Sequence, residues 1–183
     1  MIEGYPLVAM CGLVLARADG DGSITTDTLD FTNARQLWRF VPVGANVLVQ
    51  SVFDDGVLFS DGDGNLGIAP YDPPRDVITY SAYAQWNFVV AHHRPDSSWG
   101  WLLDTNPYTA IAQAADPNIF APPVGGYAVR PQFDYDRNLN VLGDGPYVAG
   151  SQVQAWHGWS NAAPNEVWVP LHRKGQPPAA VGA

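Results

Sequence analysis

The residues best suited to bind a ligand stand close together near the end of the chain. Gln154 and Trp156 are two positions apart, and Asn165, followed by Glu166, stands 11 positions after Gln154. A hydroxylated ligand such as a sugar has an apolar C–H face and a rim of hydroxyl groups, so its binding requires an exposed aromatic ring beside a few fixed amides or carboxylates. Three interpretations of Trp156 stay open, namely stacking on a ligand, packing within the fold and contact with a protein partner.

Two further groups of side chains are candidates for contact with a partner. Asp61 and Asp63 stand in a turn ahead of Tyr71, and this set predicts a second, weaker ligand site. Trp99 and Trp101 flank a glycine in a predicted loop. They form either a protein-binding hot spot or a lid that packs under the rest of the fold.

No set of residues has the spacing of a catalytic group or of a metal centre. The two acids in residues 133–136 suit a glycosidase pair only if one carboxyl pKa is raised, and nothing in the sequence indicates that, so a glycoside-acting enzyme is a minor alternative. The Asp-Gly turns are explained by sharp bends between strands, because calcium requires about six to eight oxygen ligands. We therefore expect a binding protein without catalytic residues, cofactor or metal, although calcium at these turns stays an open alternative.

Three segments of the chain share one order of features, which indicates an internal repeat. Each has an apolar strand, an Asp/Gly turn, a second apolar strand, a polar loop and a final strand that contains Trp38, Trp86 or Trp168. Alternation of apolar and polar residues around such turns is typical of β-hairpins. One such unit cannot bury its own apolar face, whereas three around a common axis close a barrel, so we expect these tryptophans in the core.

The spacing of the repeats predicts a long insertion. Trp38 and Trp86 are 48 residues apart, whereas Trp86 and Trp168 are 82 residues apart. We expect a single domain at 1–173, with repeats at roughly 4–45, 46–90 and 125–172, and a flexible tail at 174–183. The insertion falls at roughly 91–124, and long ordered loops of this kind are often functional.

Composition and charge exclude several classes of protein. The chain has 183 residues, with 18 glycines and 16 prolines, which suits one domain of short strands joined by tight turns. Nine basic residues against 18 acidic ones leave a net charge of −9, which argues against nucleic acid and anionic lipid as partners. Cys11 is the only cysteine, so no intramolecular disulfide can form.

The N-terminal segment has only part of the pattern of a signal peptide. Residues 6–16 are apolar, but the residues before them include Glu3 and no Lys or Arg, which is the wrong charge for such a segment. We predict two core strands here. No apolar run approaches the ~18 residues that a membrane helix requires, so we expect no membrane insertion and a soluble protein, cytoplasmic or secreted by a non-classical route.

The third repeat resembles the sugar-binding subdomain of the ricin-B-like, or R-type, lectins. In that family a Gln-x-Trp motif is followed after a fixed gap by Asn-Gln-x-Trp, and this chain has Gln154 with Trp156, then Asn165 with Glu166 and Trp168. The resemblance implies an all-β fold of the β-trefoil type, with the long insertion between the second and third repeats. It also implies reversible binding of carbohydrate, mainly at the third repeat and without a cofactor.

The resemblance assigns a role to each residue of the implied site. The site consists of Asn140, Asp144, Gln154, Trp156, Asn165 and Glu166. Asn140 takes the place of an acid that accepts hydrogen bonds from sugar hydroxyls, with Asp144 near enough to substitute, and Trp156 takes the place of the stacking ring. Asn165 takes the amide place, and Gln154 and Glu166 take the two glutamine places. The chain departs from the family at Asn140 and Glu166, and a neutral Asn accepts a weaker hydrogen bond than a carboxylate does.

The other two repeats keep the scaffold of the family but lose its site. In the first repeat Arg35 takes the amide place and Thr26 the place of the stacking ring, which predicts no sugar site. In the second repeat Tyr83 and Ala84 replace the amides, which predicts at most the weak site around Tyr71.

Glycans of the galactose or N-acetylgalactosamine type are the expected ligands. The alternative is a protein-binding β-trefoil, such as a protease inhibitor or a toxin-associated subunit, that acts through the loops at 91–132. Both roles occur on this fold, so the fold alone does not decide between them. The sequence also leaves a homodimer open.

Overall fold

The computed structural model describes residues 4–20, 22–44, 46–71, 82–93, 101–103, 125–157 and 161–171. These residues form short strands and one turn of 3-10 helix at Ala34–Gln36, and none of the helices among them is long and apolar enough to cross a membrane. The strands in chain order are β1 (Tyr5–Ala9), β2 (Val14–Arg17), β3 (Ile24–Asp27), β4 (Leu37–Val43), β5 (Asn46–Ser51), β6 (Val57–Ser60), β7 (Leu66–Ala69), β8 (Trp86–His93), β9 (Trp101–Leu103), β10 (Gly125–Pro131), β11 (Arg137–Val141), β12 (Val153–His157), β13 (Asn161–Ala162) and β14 (Val167–Pro170).

Six of these strands close a barrel. Strands β8, β10, β14, β1, β4 and β5 pair with one another in that order, all antiparallel, and a pairing of β5 with β8 closes the ring. Three hairpins, β2–β3, β6–β7 and β11–β12, pack their apolar residues into the same core as the barrel. A six-stranded barrel with three hairpins is a β-trefoil, and closure removes the unpaired barrel edges at which other chains could add.

The three repeats have the same strand register. The pairs within a repeat are Tyr5–Trp38, Val47–Trp86 and Tyr127–Trp168. The pairs between one repeat and the next are Trp38–Ser51, Trp86–Pro131 and Trp168–Ala9. On each strand that supplies these partners, the two paired residues are four positions apart: Val47 and Ser51, Tyr127 and Pro131, Tyr5 and Ala9. The pseudo-threefold symmetry therefore extends to individual residues.

The three tryptophans occupy equivalent buried positions. Each side chain is 0% exposed, and each indole Nε1 donates a hydrogen bond to a leucine carbonyl on the first strand of its own hairpin. The acceptors are Leu15 O for Trp38 at 3.1 Å, Leu58 O for Trp86 at 2.9 Å and Leu139 O for Trp168 at 2.8 Å. The prediction of core tryptophans is confirmed, and each of them also ties a hairpin to the barrel.

A glycine of the second Asp-Gly turn allows two hairpins to touch. Gly64 has a φ of +94°, and its carbonyl accepts a hydrogen bond of 2.9 Å from the backbone N–H of Ala155 in β12. A Cβ at this glycine would lie 2.3 Å from the carbonyl oxygen of Ala155. The turn of the second repeat therefore needs glycine both for its conformation and for its contact with the third.

The insertion begins as an extension of the barrel. Strand β8 continues to His93, β9 pairs with its last residues, and β13 pairs with β9. Residues 104–124, Trp99 and the tail at 174–183 lie outside the described residues. Strands β1 and β2 lie where the apolar N-terminal segment predicts two core strands, so this prediction is confirmed.

Replacement of a buried tryptophan by phenylalanine tests the threefold equivalence. Trp38→Phe, Trp86→Phe and Trp168→Phe each leave a leucine carbonyl without its donor and open a cavity. We expect each to lower the free energy of unfolding by about 2–4 kcal/mol, with similar losses at the three positions. Urea denaturation measures the losses, and Trp156→Phe, at a half-exposed site, serves as the control with a loss below about 0.5 kcal/mol. A large loss at one position alone would contradict the equivalence.

Candidate ligand-binding site

The hairpin β11–β12 has one apolar face and one polar face. Directly paired residues of antiparallel strands point to the same side. The face toward the core carries Leu139, Val141, Val153 and Ala155, each at most 2% exposed. The opposite face, which we call the amide face, carries Asn138, Asn140, Gln154 and Trp156. The alternation of residue types along two short strands thus places three amides and an indole side by side.

Trp156 presents a ring to solvent. Its side chain is 49% exposed, whereas Trp38, Trp86 and Trp168 are fully buried. Its neighbour His157 is also exposed, and the two ring centroids lie 6.4 Å apart in an edge-to-face arrangement. An indole that is buried on one side and open on the other is the kind of surface on which a sugar ring stacks.

Three predicted residues, Asn140 of this face together with Asn165 and Glu166, form a buried chain of hydrogen bonds. Glu166 Oε1 accepts a hydrogen bond of 2.7 Å from Asn140 Nδ2, and Asn140 Oδ1 accepts one of 2.8 Å from Asn165 Nδ2. Asn165 Nδ2 also donates to the carbonyl of Val141 at 2.9 Å. Asn140 and Asn165 are 7% exposed and Glu166 is 5% exposed. The structure brings these residues together as predicted, but as a base whose polar groups bind one another.

The buried carboxyl group of Glu166 has partners that stabilise its charged form. Burial raises the pKa of Glu166, while hydrogen bonds from the backbone of Ala163 and from the Asn140 amide, together with the charge of Arg130, act in the opposite direction. Arg130 reaches the same cluster, since its Nε donates a 2.8 Å hydrogen bond to Asn138 Oδ1. Buried charges persist only when they are paired and hydrogen-bonded in this way.

Asn138 and Arg130 were missed by the sequence analysis. The signal for Asn138 was its position two residues before Asn140, which places both on one face of a strand. The signal for Arg130 was weaker, because it lies on β10, and only the packing of the barrel brings it beneath the hairpin.

Asp144 lies apart from the ring. It is exposed in the loop that connects β11 to β12, whereas Trp156 pairs with Asn138 toward the other end of the hairpin. That Asp144 can substitute for Asn140 stays a prediction.

The predicted second site is not assembled. Asp61 and Asp63 lie in the turn of the β6–β7 hairpin, whereas Tyr71 follows the end of β7 at the other end of that hairpin and packs on a separate apolar cluster. Asp61 has a structural role in the turn, since it accepts hydrogen bonds from the backbone of Asp63 and Asn65 and from the Asn65 side chain. The side-chain bond from Asn65 is the main cause that lowers the pKa of Asp61.

The turn of the second repeat instead borders the site of the third. Asn65 Oδ1 accepts a hydrogen bond of 3.1 Å from Gln154 Nε2, which holds this half-exposed glutamine on the amide face. Asn65 in turn donates to Asp61 Oδ2 at 2.9 Å. Asp61 is therefore linked to the amide face through the hydrogen-bonded side chains of Asn65 and Gln154.

The structure corrects the stacking position in the other repeats. The leucines that accept the indole hydrogen bonds pair with Thr26, Ile68 and Ala155, so the residues after these, Asp27, Ala69 and Trp156, are equivalent. Thr26 is one residue out of register, and a shift of one residue turns a side chain to the other face of a strand. Thr26 is 2% exposed and donates from its hydroxyl to the carbonyl of Val148.

The side chains of the two predicted partner-contact residues, Trp99 and Trp101, are not described. Trp99 is not among the described residues, and Trp101 is described only as a backbone position of β9, paired with Ala162. Within the described part of the chain, no three His, Cys, Asp or Glu side chains form a group that could hold a metal ion.

Known proteins match this chain in structure and not in sequence. No protein family model and no curated protein matches it. The ricin B-like lectin of Macrolepiota procera, in complex with lactose, matches with a TM-score of 0.58 and 16% identity over 92% of this chain and 94% of that lectin. ThreeFoil, a designed threefold symmetric protein, matches with a TM-score of 0.56 and 15% identity over 91% of this chain and 98% of its own.

An enzyme also contains a similar domain. The endo-β-galactosidase of Clostridium perfringens that releases GlcNAcα1-4Gal matches with a TM-score of 0.57 and 9% identity, over 92% of this chain but 32% of the enzyme. Together the matches confirm the predicted β-trefoil fold with its insertion and its similarity to the ricin B-like lectins.

Replacement of Asn140 by aspartate tests the base of the site. Asn140→Asp places a second carboxylate at the 2.7 Å contact with Glu166. We expect a loss in the free energy of unfolding on the order of 2–4 kcal/mol at pH 8, because two like charges repel strongly where water is excluded. The loss shrinks as the pH falls, since the folded pair has a raised pKa and binds a proton more tightly than the unfolded chain does.

The control for this prediction is Asn46→Asp. Asn46 is equally buried, at 7%, but it donates to Gln85 Oε1, and a neutral amide can rotate to donate to the new carboxylate. Urea denaturation between pH 5 and pH 8 measures both variants. If Asn140→Asp showed no more dependence on pH than Asn46→Asp, Asn140 and Glu166 would not be in contact.

Proposed function

We propose that this protein binds carbohydrate reversibly, in the manner of a lectin, with its principal site on the amide face of the third repeat. The observation that carries the proposal is the half-exposed indole of Trp156 beside hydrogen-bonded amides, on a fold similar to that of ricin B-like lectins. The ring offers an apolar surface to the C–H face of a sugar, and the amides offer donors and acceptors to its hydroxyl groups.

The geometry of β12 supports a compact site. Gln154 and Trp156 are two residues apart on one strand, so their side chains project from the same face about 7 Å apart. One hexose unit can therefore contact both. Asn140, Asn165 and Glu166 act mainly from below, where their mutual hydrogen bonds keep the strand pair and the ring in place.

A single principal site is supported by the equivalent positions of the other repeats. Asp27 and Ala69 stand where Trp156 stands, so neither repeat offers an aromatic ring there. The lectin of Macrolepiota procera was solved with lactose, and a galactose-containing ligand is a reasonable first probe for this chain. We propose binding without hydrolysis, because Glu166 is engaged by Asn140 in the buried base and no second carboxylate stands opposite it on the amide face.

Removal of the indole tests the proposed site. Trp156→Ala should lower affinity for any glycan bound on an array by at least about tenfold, because ring stacking is lost while the fold remains. Tyr83→Ala is the matched control, since Tyr83 is a similarly exposed aromatic residue, at 43%, in the second repeat. Its binding should equal that of the unaltered protein.

Two outcomes would contradict the proposal. One is the absence of any glycan signal from the folded protein, and the other is a signal that Trp156→Ala leaves unchanged. Capture of a protein partner that is lost on removal of the insertion, with glycans inert, would favour the protein-binding alternative instead.

A further inference from the structure

The acid of the third-repeat site is Glu166, which is buried in the base of the site and does not stand on the surface that faces a ligand. The amide face of β11–β12 carries three amides and an indole, and the carboxylate of Glu166 contacts this group by accepting a hydrogen bond from Asn140. The two departures from the lectin pattern, Asn140 in the place of an acid and Glu166 in the place of an amide, lie in direct contact at 2.7 Å. The acid–amide pair is therefore retained with its members exchanged.

The exchange decides which groups Asn140 can offer. An ionised carboxylate only accepts hydrogen bonds, so Glu166 holds the Nδ2 of Asn140 toward itself, and Asn165 Nδ2 occupies the Oδ1 of Asn140. Asn140 is thus not free to accept two hydrogen bonds from adjacent hydroxyl groups, as a carboxylate in its place would do. The means of recognising the relative orientation of two neighbouring hydroxyls is absent from this position.

The remaining groups of the amide face fit a different chemical group. Gln154 is half-buried, lies on the same face of β12 as Trp156 and donates one N–H to Asn65, which leaves its carbonyl oxygen and second N–H for a ligand. An acetamido group has a carbonyl that accepts, an N–H that donates and a methyl group that packs on an aromatic ring. Its pattern is complementary to a primary amide beside an indole.

We propose that the third repeat selects its saccharide by an acetamido group, through Gln154 and Trp156, and distinguishes hexose epimers poorly because Asn140 and Glu166 have exchanged acid and amide. The inference rests on the carbohydrate-binding function proposed above. It differs from a preference for galactose, because it makes N-acetylglucosamine and N-acetylgalactosamine equivalent ligands.

Four monosaccharides test the proposal: glucose, galactose, N-acetylglucosamine and N-acetylgalactosamine. They are two epimers, each with and without the acetamido group. Binding is measured by titration of the ¹⁵N-labelled full chain, with the indole N–H signal of Trp156 as the reporter. We expect both acetamido sugars to bind about tenfold more tightly than both simple hexoses, the effect of one lost hydrogen-bonded pair. The two members of each epimer pair should differ by less than about threefold.

Two variants separate the contributions of the amide and of the exchanged pair. Gln154→Ala, at a half-exposed position, should retain the fold and reduce the acetamido preference to below about threefold. The double variant Asn140→Asp with Glu166→Gln returns the acid to position 140 and the amide to position 166, and it should gain a preference for one member of each epimer pair. Thermal melts confirm that each variant is folded before the titration.

The outcomes distinguish the inference from the function on which it rests. If the unaltered protein binds galactose more tightly than glucose and is indifferent to the acetamido group, the inference is overturned and the carbohydrate-binding function stands. An acetamido preference that survives Gln154→Ala also overturns it. If none of the four sugars, nor any glycan on an array, shifts the Trp156 signal, the proposed function and the inference fall together.

Discussion

The fold depends on one contact made three times, the hydrogen bond from a buried indole to a leucine carbonyl at the start of a hairpin. In each repeat the tryptophan stands on a barrel strand and the leucine on the hairpin, so the bond joins the two layers of the β-trefoil. The indole ring fills the core, and its N–H satisfies a backbone carbonyl of the hairpin. Because the strand register around these tryptophans is the same in every repeat, each hairpin is set in the same orientation relative to the barrel.

That orientation allows the outer faces of the three hairpins to differ without loss of the fold. The core-facing residues Leu15, Leu58 and Leu139 are all fully buried. On the outer side, the position of Trp156 is Asp27 in the first repeat and Ala69 in the second. Residues on the core face are constrained by packing, whereas residues on the outer face are constrained only by their neighbours and by any ligand. The third repeat alone, among these equivalent positions, combines an aromatic ring with amides.

Burial of Glu166 has consequences for the whole third repeat. A carboxylate that is removed from water requires partners, and it receives them from Asn140, the backbone of Ala163 and the charge of Arg130. Arg130 belongs to the strand that follows the insertion, so the site connects a barrel strand, a hairpin and the loop before Trp168. Strand β13, which lies between Trp156 and Asn165 in the chain, pairs with β9 of the insertion. A described strand of the insertion is therefore paired with a segment of the third repeat although the two are distant in the chain.

The amino-acid sequence by itself determined the repeat, the hairpins and the three core tryptophans, because periodicity and turn residues act over short distances along the chain. The grouping of Asn140, Gln154, Trp156, Asn165 and Glu166 was implied by the resemblance of the third repeat to the ricin-B-like lectins. The sequence did not determine the register of the weaker repeats, where Asp27 and not Thr26 is the equivalent of Trp156, and where Tyr71 lies at the opposite end of its hairpin from Asp61 and Asp63. Loops of different length shift positions counted along a sequence, whereas the structure counts them from the hydrogen bonds of the buried indoles. Tertiary structure alone decided that Trp156 is open to solvent while Asn138 and Asn140 are buried, and that Asn140 contacts Glu166 across 26 residues. Burial and long-range contact follow from how the three repeats close on one another.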